Sequence, residues 1–316
     1  MRSIPYIHGL HQIGAGDYVY LHPSGTWCRS NSGLVVDGDE AVLIDTQFGL
    51  AEAERLQQAI HATRPDTQIR AVVNTHGDID HWWGNQLWAD VPIIATAAAA
   101  EQMRQDRWWQ LINDLKAPVP AGVREFLNGI GEAFDLNGLE PTLANELFVG
   151  ERELQVGHRT VQLIDAGPAH TASDVFAHVP DARIIYAGDL VFSDTHPVIH
   201  TGPVDRWIAA CSQMLSLDPA AIVPGHGPVI DSAGLLRFRS YLEHIRDHAI
   251  ACQRKGISVW QAAATFECSE TAHWSDADRV VINLAAVYRE NEPTDASVPT
   301  ELHLLGHVDA TAALQG

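Results

Sequence analysis

Side chains that bind metals are concentrated in one short segment of the chain, THGDIDHWWGN. Two histidines and two aspartates fall within six residues there: His76, Asp78, Asp80 and His81. Imidazole nitrogens and carboxylate oxygens together suit zinc, iron or manganese, and no cysteine lies beside them. Glycines at 77 and 84 would let such a loop fold back on itself. The segment is too dense in ligand-type residues for an ordinary solvated loop, and it predicts part of a metal site.

Three more ligand-type residues follow apolar runs elsewhere in the chain. They are His170 after VQLIDAGPA, Asp189 after RIIYAG and His226 after AIVPG, just as His76 follows AVVNT. The ends of strands are where a rigid sheet presents functional groups. We therefore predict that four distant segments meet at a single metal site.

The order and spacing of these residues resemble the five-segment signature of the metallo-beta-lactamase-fold superfamily of metallohydrolases, over about residues 15 to 235. The resemblance implies an α/β fold, a four-layer αββα sandwich, with two divalent metal ions. One ion would be held by His76, Asp78 and His170, the second by Asp80, His81 and His226, and Asp189 would lie between them. Asp80 would also orient the attacking oxygen, and Asp45 in VLIDT matches the family's early strand-end aspartate, a supporting position. The implied activity is attack by a metal-activated water or hydroxide on an ester, thioester, lactone or amide carbonyl of a small molecule.

The first motif departs from the family's usual His-x-His-x-Asp-His, because Asp78 stands at the second histidine. Two divalent ions bring +4, and the carboxylates of Asp78, Asp80 and Asp189 bring -3. One bridging hydroxide would then make the site about neutral, whereas the usual histidine in place of Asp78 would leave it at about +1. Oxygen-rich ligation of this kind favours iron or manganese over zinc. Alternatively, Asp78 is too short to reach its metal, which would leave the first site weak or empty. Related branches with a carboxylate here include di-iron proteins, so a di-iron oxidoreductase or oxygenase is an alternative function.

Aromatic and histidine side chains near the motifs are candidates for a substrate pocket. These candidates are Trp82, Trp83, Trp108, Trp109, His196 and His200. The tryptophans could wall an apolar pocket for an aromatic or acyl substrate, although core packing is the alternative interpretation. The two histidines follow Asp189 on a loop that could lean over the metals to stabilise an oxyanion or carry a proton. The tryptophans also give faint support to a biosynthetic cyclase or thioesterase-like enzyme, and a non-catalytic metal-binding protein is the least favoured reading.

The elements that must position these residues alternate between β-branched runs and helical stretches. Strands are predicted at 18–22, 32–38, 40–46, 69–75, 91–96, 159–167, 174–180, 182–189 and 220–226. Helices are predicted at 51–63, 204–218, 233–254, 257–267 and 276–290, with a helical insertion at about 97–146. We therefore predict a metallo-beta-lactamase-like catalytic domain at 1–235. The helical region at 236–316 is expected to pack on it or to form a homodimer interface.

Composition narrows the classes of partner. Over 316 residues, 20 Lys and Arg face 40 Asp and Glu, and the formal charge of -20 disfavours nucleic acid and membrane surfaces as partners. The four cysteines show no CxxC, which indicates neither a disulfide framework nor a thiolate zinc site. No run of 18 apolar residues and no signal-peptide pattern occurs. The expectation is a cytoplasmic enzyme that acts on a small molecule and has no evident organic cofactor.

Overall fold

Two β-sheets form the centre of the protein. The computed structural model describes residues 4–23, 27–106, 108, 111, 119, 121–295, 297–300 and 303–306. The strands within this part of the chain are β1 (Gly9–Gly14), β2 (Asp17–Leu21), β3 (Ser32–Asp37), β4 (Glu40–Ile44), β5 (Gln68–Val73), β6 (Ile93–Thr96), β7 (Glu146–Phe148), β8 (Glu151–Val156), β9 (Arg159–Asp165), β10 (Val175–Val179), β11 (Ile184–Phe192) and β12 (Ala221–His226). Every strand predicted from the sequence is found, and β1, β7 and β8 are additional.

The two sheets pack face to face across a shared apolar core. The first sheet has the order β1-β2-β3-β4-β5-β6-β7, antiparallel from β1 to β4 and parallel from β4 to β7. The second has the order β12-β11-β10-β9-β8, and only β11 and β12 pair in parallel. Val19 and Val42 of the first sheet share one buried cluster with Leu163 and Val175 of the second. Burial of apolar side chains between the inner faces of two sheets is what stabilises a β-sandwich.

Helices cover both outer faces of the sandwich. Within the described residues they are α1 (Gly49–Thr63), α2 (Ile79–Trp82), α3 (Ala97–Arg104), α4 (Ala121–Ala133), α5 (Val204–Ser216), α6 (Ser232–Gln253), α7 (Val259–Ala264) and α8 (Val280–Asn291). Helix α1 buries Leu56 and Ile60 against the first sheet. Helices α5, α6 and α8 cover the second sheet. The order helix, sheet, sheet, helix confirms the predicted four-layer αββα sandwich.

The helical C-terminal region shares its core with the second sheet. Phe238 of α6 and Leu284 of α8 belong to the same buried cluster as Phe176 and Ile185. The division at residue 235 stays a prediction, and it falls inside α6. None of the described helices is long and apolar enough to cross a membrane.

The predicted helical insertion contains α3 and α4, which pack beside α2 in a separate apolar cluster. Trp109 lies outside the described residues, as do 107, 110, 112–118 and 120.

Candidate metal centre

Strand ends bring the predicted ligands to one edge of the sandwich. His76 follows β5, His226 ends β12, Asp189 lies near the end of β11, and His170 lies in the loop between β9 and β10. The Val175 backbone N–H donates to the Thr75 carbonyl at 2.8 Å and so joins the two sheets at this edge. Asp80 and His81 lie on the short helix α2, directly after Asp78.

The structure brings His76, Asp78 and His170 together. Asp78 Oδ2 lies 3.0 Å from His170 Nε2 and 3.7 Å from His76 Nε2. One ligand atom from each residue lies within 4.8 Å of the others. Such separations suit a single ion with ligand bonds of about 2.1 Å. The Asp78 carboxylate thus lies within reach of the two histidines with which it is predicted to share an ion.

Asp80, His81 and His226 form a second group that meets the same 4.8 Å criterion. His226 Nε2 lies 3.4 Å from Asp80 Oδ2. Asp189 stands between the groups, because its Oδ2 lies 3.2 Å from the Nε2 atoms of both His170 and His226. A third group, His76, His81 and Asp189, meets the same criterion, so the structure brings the predicted ligands together and their division between two ions stays a prediction.

Four of the histidines are oriented through their Nδ1 atoms. The partners are Thr75 Oγ1 at 3.0 Å from His76, Asp45 Oδ2 at 2.8 Å from His81, the Val198 carbonyl at 2.6 Å from His170, and the Arg29 carbonyl at 3.1 Å from His226. Outer hydrogen bonds of this kind fix the ring orientation of metal-binding histidines. The arrangement leaves each Nε2 facing the cluster.

Unsatisfied buried atoms show that the cluster fits metal ions. His76 Nε2, His81 Nε2 and Asp189 Oδ1 are buried and have no hydrogen-bond partner. Although His81 Nε2 and Asp189 Oδ1 are 3.1 Å apart, their geometry does not form a hydrogen bond. A buried polar atom without a partner is costly unless a ligand satisfies it. These residues therefore fit divalent cations.

The charges within the cluster support each other. Burial by itself raises the pKa values of Asp78 and Asp189, yet the facing histidines hold both well below 3.8. Burial likewise lowers the pKa values of His81 and His170, but Asp189 and neighbouring carboxylates hold both well above 6.5. The aspartates are therefore ionised, the form that binds cations, whereas His81 and His170 would have to release a proton to bind one.

Asp78 has two further partners that the family pattern does not supply. Gln102 Nε2 donates to Asp78 Oδ1 at 3.0 Å, and His200 Nε2 lies 3.3 Å from Asp78 Oδ2. A Cβ at Gly77 would lie 2.8 Å from the Gln102 side chain, so glycine is needed for that approach. Both carboxylate oxygens of Asp78 are thus held in place.

The candidate pocket residues separate into two groups. Trp82 and Trp83 are fully buried in the core, and Trp82 Nε1 donates to the Gly77 carbonyl at 3.0 Å. Their positions support core packing, the alternative interpretation. His196 is also buried, with Nδ1 2.9 Å from the Tyr241 hydroxyl, and burial lowers its pKa to about 4. Trp108 and His200 do line the cavity above the cluster.

The cavity has a volume of about 900 Å³, which suits a small-molecule ligand. Asp78, Asp80, His170, Asp189 and His226 border it. Other lining residues were not predicted from the sequence, and among them are Trp27, Cys28, Gln102, Phe126 and Arg279. They are isolated in the sequence, so no spacing signal could have pointed to them.

Comparison with known proteins agrees with this fold. Residues 25–226 match the family described as the metallo-beta-lactamase superfamily. This match covers well over half of the sequence, and the chain belongs to that superfamily. Membership implies divalent metal ions, and the histidine and aspartate groups described above are where the described residues could hold them.

Two curated relatives are similar at low identity. The 2,4-dinitroanisole O-demethylase subunit alpha of Nocardioides sp. (strain JS1661) is 26% identical over 196 residues, which cover 61% of this chain and 51% of that protein. Acyl-coenzyme A thioesterase MBLAC2 of Bos taurus is 24% identical over 234 residues, which cover 67% of this chain and 78% of that protein.

Solved structures share the fold. The sec-alkylsulfatase Pisa1 from Pseudomonas sp. superposes with a TM-score of 0.65 and 15% identity, covering 91% of this chain and 51% of that one. A metallo-beta-lactamase from Pontibacter korlensis superposes with a TM-score of 0.56 and 20% identity, covering 74% of this chain and 98% of that one. The chain thus spans about half the length of the demethylase subunit and of the alkylsulfatase.

Proposed function

We propose that this protein is a metal-dependent hydrolase that cleaves an ester, thioester, lactone or amide of a small molecule with two divalent ions. The observation that carries the proposal is the convergence of seven ligand-type side chains, five of which line a cavity of about 900 Å³. Within that cluster, His76 Nε2, His81 Nε2 and Asp189 Oδ1 are buried without a hydrogen-bond partner.

Each residue of the cluster has a distinct role in this proposal. Divalent ions bound there would supply water activation near neutral pH and polarisation of a carbonyl oxygen. His76, Asp78 and His170 would hold one ion and Asp80, His81 and His226 the other, with Asp189 shared. Asp80 lines the cavity and would accept a hydrogen bond from the attacking water, which orients it. His200, which borders the cavity beside Asp78, would donate a hydrogen bond to the substrate's developing negative charge.

The names of the relatives support a hydrolase that acts on an acyl or aryl substrate. One relative is an acyl-coenzyme A thioesterase, and the other acts on 2,4-dinitroanisole, an aryl ether. An acyl or aryl body fits a cavity bordered by Trp27, Trp108 and Phe126. We favour an ester or thioester over the phosphodiesters of a nucleic acid, because the charge of -20 would oppose the approach of that polyanion.

A di-iron oxidoreductase is the second candidate, and the position of Asp78 favours it. Asp78 lies among His76 and His170, so three carboxylates instead of two contribute to the cluster. More negative, oxygen-rich ligation favours iron or manganese over zinc. Elemental analysis of protein purified without added metal separates these cases, since two irons per chain with oxygen-dependent turnover would replace the hydrolase assignment.

The proposal is tested with Asp80→Ala and, as a matched control on the same segment, the exposed Asp90→Ala. Both variants and the unmodified protein are loaded with manganese or zinc. They are then assayed on 4-nitrophenyl butyrate, butyryl-coenzyme A, a γ-lactone and 2,4-dinitroanisole. We expect Asp80→Ala to lose at least 100-fold in kcat/KM and one metal ion per chain, and Asp90→Ala to retain both. Full turnover by Asp80→Ala, or no turnover of any compound by the loaded protein, would exclude the proposed hydrolase.

A further inference from the structure

A buried arginine borders the cavity on the side of the helical C-terminal region. Among the described residues that line the cavity, Arg279 is the one lysine or arginine, whereas five carboxylic acids line it: Asp78, Asp80, Glu101, Asp106 and Asp189. Arg279 ends the short 3-10 helix Ala277–Arg279, beyond the 25–226 segment that matches the superfamily. It is 7% exposed, so its charge is almost entirely removed from water.

The Arg279 guanidinium is only partly satisfied by the protein. Its Nη1 donates to the His196 carbonyl at 3.1 Å, and its Nη2 lies 3.3 Å from Asp276 Oδ1. Its Nε has no hydrogen-bond partner. An arginine offers five N–H donors, and a buried donor without a partner is costly. These contacts leave donors of the guanidinium uncommitted, and because Nε itself is buried, a ligand in the cavity would approach through Nη1 or Nη2.

The closest contact between Arg279 and Asp276 is the 3.3 Å approach of Nη2 to Oδ1. Asp276 Oδ2 accepts hydrogen bonds from Thr195 Oγ1 and Ser275 Oγ, both at 2.6 Å. That carboxylate is thus committed to joining the Thr195 segment to the C-terminal region, and it approaches the guanidinium with its other oxygen alone. A bidentate arginine pair, the strong form, is not made here.

Aromatic side chains connect Arg279 to the rest of the cavity. Its Cζ lies 4.1 Å from the centre of the Trp27 ring. Trp27 meets Phe126 edge to face at 5.4 Å, and Phe126 lies 5.6 Å from Trp108. All four residues line the cavity. The Arg279 guanidinium therefore lies beside a continuous row of aromatic rings that line the cavity.

We propose that the substrate of this protein carries a carboxylate that Arg279 binds, while its apolar body lies against Trp27, Phe126 and Trp108. This inference rests on the proposed hydrolase and names its substrate class: small acids with an aryl or acyl body. Arg279, Asp80 and Asp189 line the same cavity, so a molecule bound at Arg279 shares that cavity with the cluster. Selectivity for the acid would then come from the C-terminal region, and the reaction from the segments of the superfamily.

The test uses two probes that have the same shape and differ in charge, 4-phenylbutyrate and 4-phenylbutyramide. Their dissociation constants are measured by isothermal titration calorimetry on the metal-loaded protein. We expect the carboxylate to bind at least tenfold more tightly than the amide, as a charge-assisted hydrogen bond would give. Equal affinities for the two probes would overturn the inference without any substitution being made.

Variants then assign the preference to Arg279. Arg279→Gln should weaken the binding of 4-phenylbutyrate at least tenfold and leave the affinity for 4-phenylbutyramide unchanged. Arg279→Lys should have an intermediate affinity for 4-phenylbutyrate. The exposed Arg183→Gln should change neither affinity. If Arg279→Gln still prefers 4-phenylbutyrate to 4-phenylbutyramide, the carboxylate binds to the metal ions instead, and the inference is overturned. An equal loss for both probes in a folded variant would give Arg279 a purely structural role and also overturn it. Because binding is measured without turnover, failure of the proposed hydrolase would appear separately, in the ester and thioester assays.

Discussion

At the scale of single residues, Asp45 supports the metal centre without lining the cavity. Its carboxylate accepts from the Thr75 N–H and hydroxyl, both at 2.8 Å, and lies 2.8 Å from His81 Nδ1. Its φ is 61°, a left-handed conformation that few residues other than glycine, asparagine and aspartate adopt readily. One strained, buried carboxylate thus fixes both the His76 segment and the His81 ring.

Asp45→Asn should therefore weaken metal binding while keeping the fold. Asparagine tolerates the same backbone conformation, but it removes the charge that faces His81 Nδ1. We expect the affinity for the second ion to fall about 10- to 100-fold, as is typical when an outer partner of a metal-binding histidine is lost. Competition with a chelating indicator measures this, with the exposed Asp39→Asn as the control. An affinity equal to that of the control would show that Asp45 does not support the site.

Asp78→His tests whether the third carboxylate sets metal preference. Replacing Asp78 by histidine removes one negative charge and one oxygen ligand, which favours zinc over manganese. We expect the ratio of zinc to manganese affinity to rise about tenfold or more. Asp78→Asn is the matched control, because it removes the charge without supplying an imidazole. If the ratio is the same in all three proteins, Asp78 does not contribute to ion selectivity.

The ligand-type residues were predictable because they lie in one dense segment and at the ends of apolar runs. His76, Asp189 and His226 each follow a run whose strand the structure contains. By contrast, nothing local marks Arg279 or Trp27, which meet only because the C-terminal region folds back over the cavity. Residues that act through long-range packing leave no periodic pattern in a single sequence.

At the scale of elements, the strands that were not predicted from the sequence are all edge strands. β1, β7 and β8 are all at the edges of their sheets. An edge strand is open on one side and tolerates polar residues, as in ERELQV of β8, where only Val156 is buried. The central strands were recognised because both of their faces are covered and their sequences are almost wholly apolar, as in IIYAGDLVF of β11.

Helix α1 is tied to the segment that orients His226 by a buried ionic network. Glu52 of α1 pairs with Arg55 of the same helix and lies 3.3 Å from His22 Nε2 and 3.5 Å from Arg29 Nη1. The Arg29 carbonyl lies 3.1 Å from His226 Nδ1. Burial by itself raises the pKa of Glu52, but its contacts with His22 and Arg55 outweigh burial and lower the pKa to about 2.

Glu52→Gln should consequently destabilise the protein in a pH-dependent way. A carboxyl whose pKa is about 2 when folded and about 4.5 when unfolded stabilises the fold above pH 4.5, and this contribution is lost as the pH falls towards 2. We expect the variant to lose about 2 kcal/mol in the free energy of unfolding at pH 7. At pH 3.5 this loss should be smaller by about 1 kcal/mol. Urea unfolding of metal-free protein measures both values, with the exposed Glu54→Gln as control. A loss independent of pH would mean that the Glu52 charge contributes nothing.

At the scale of the whole molecule, the cavity is completed by segments far apart in the chain. The strand ends and α2 supply the candidate metal centre, while α4 contributes Phe126 and Ile130 to the wall. The opposite side is closed by Thr300 and Leu305, and Leu305 is itself buried. A helical insertion was predicted around α4, but no individual helix was predicted beyond residue 290. Nothing local could predict that the two segments meet, because they do so through the backbones of Gly122 and Gly306.

Gly122→Ala should open this closure. A Cβ on Gly122 would lie 2.2 Å from the Gly306 carbonyl oxygen, and this backbone contact can be relieved only if α4 and the C-terminal segment separate. Gly129 lies on the same helix, is exposed and has nothing within 4 Å of its Cβ position, so Gly129→Ala is a matched control. We expect Gly122→Ala to lose about 1–2 kcal/mol in the free energy of unfolding. Gly129→Ala should gain about 0.5–1 kcal/mol, because alanine stabilises a helix more than glycine does.

The dissociation constant for 4-phenylbutyrate should rise severalfold in Gly122→Ala alone, since Phe126 of α4 belongs to the aromatic wall of the cavity. Identical stability and affinity in the two variants would mean that the closure of the cavity does not depend on the contact between α4 and the C-terminal segment.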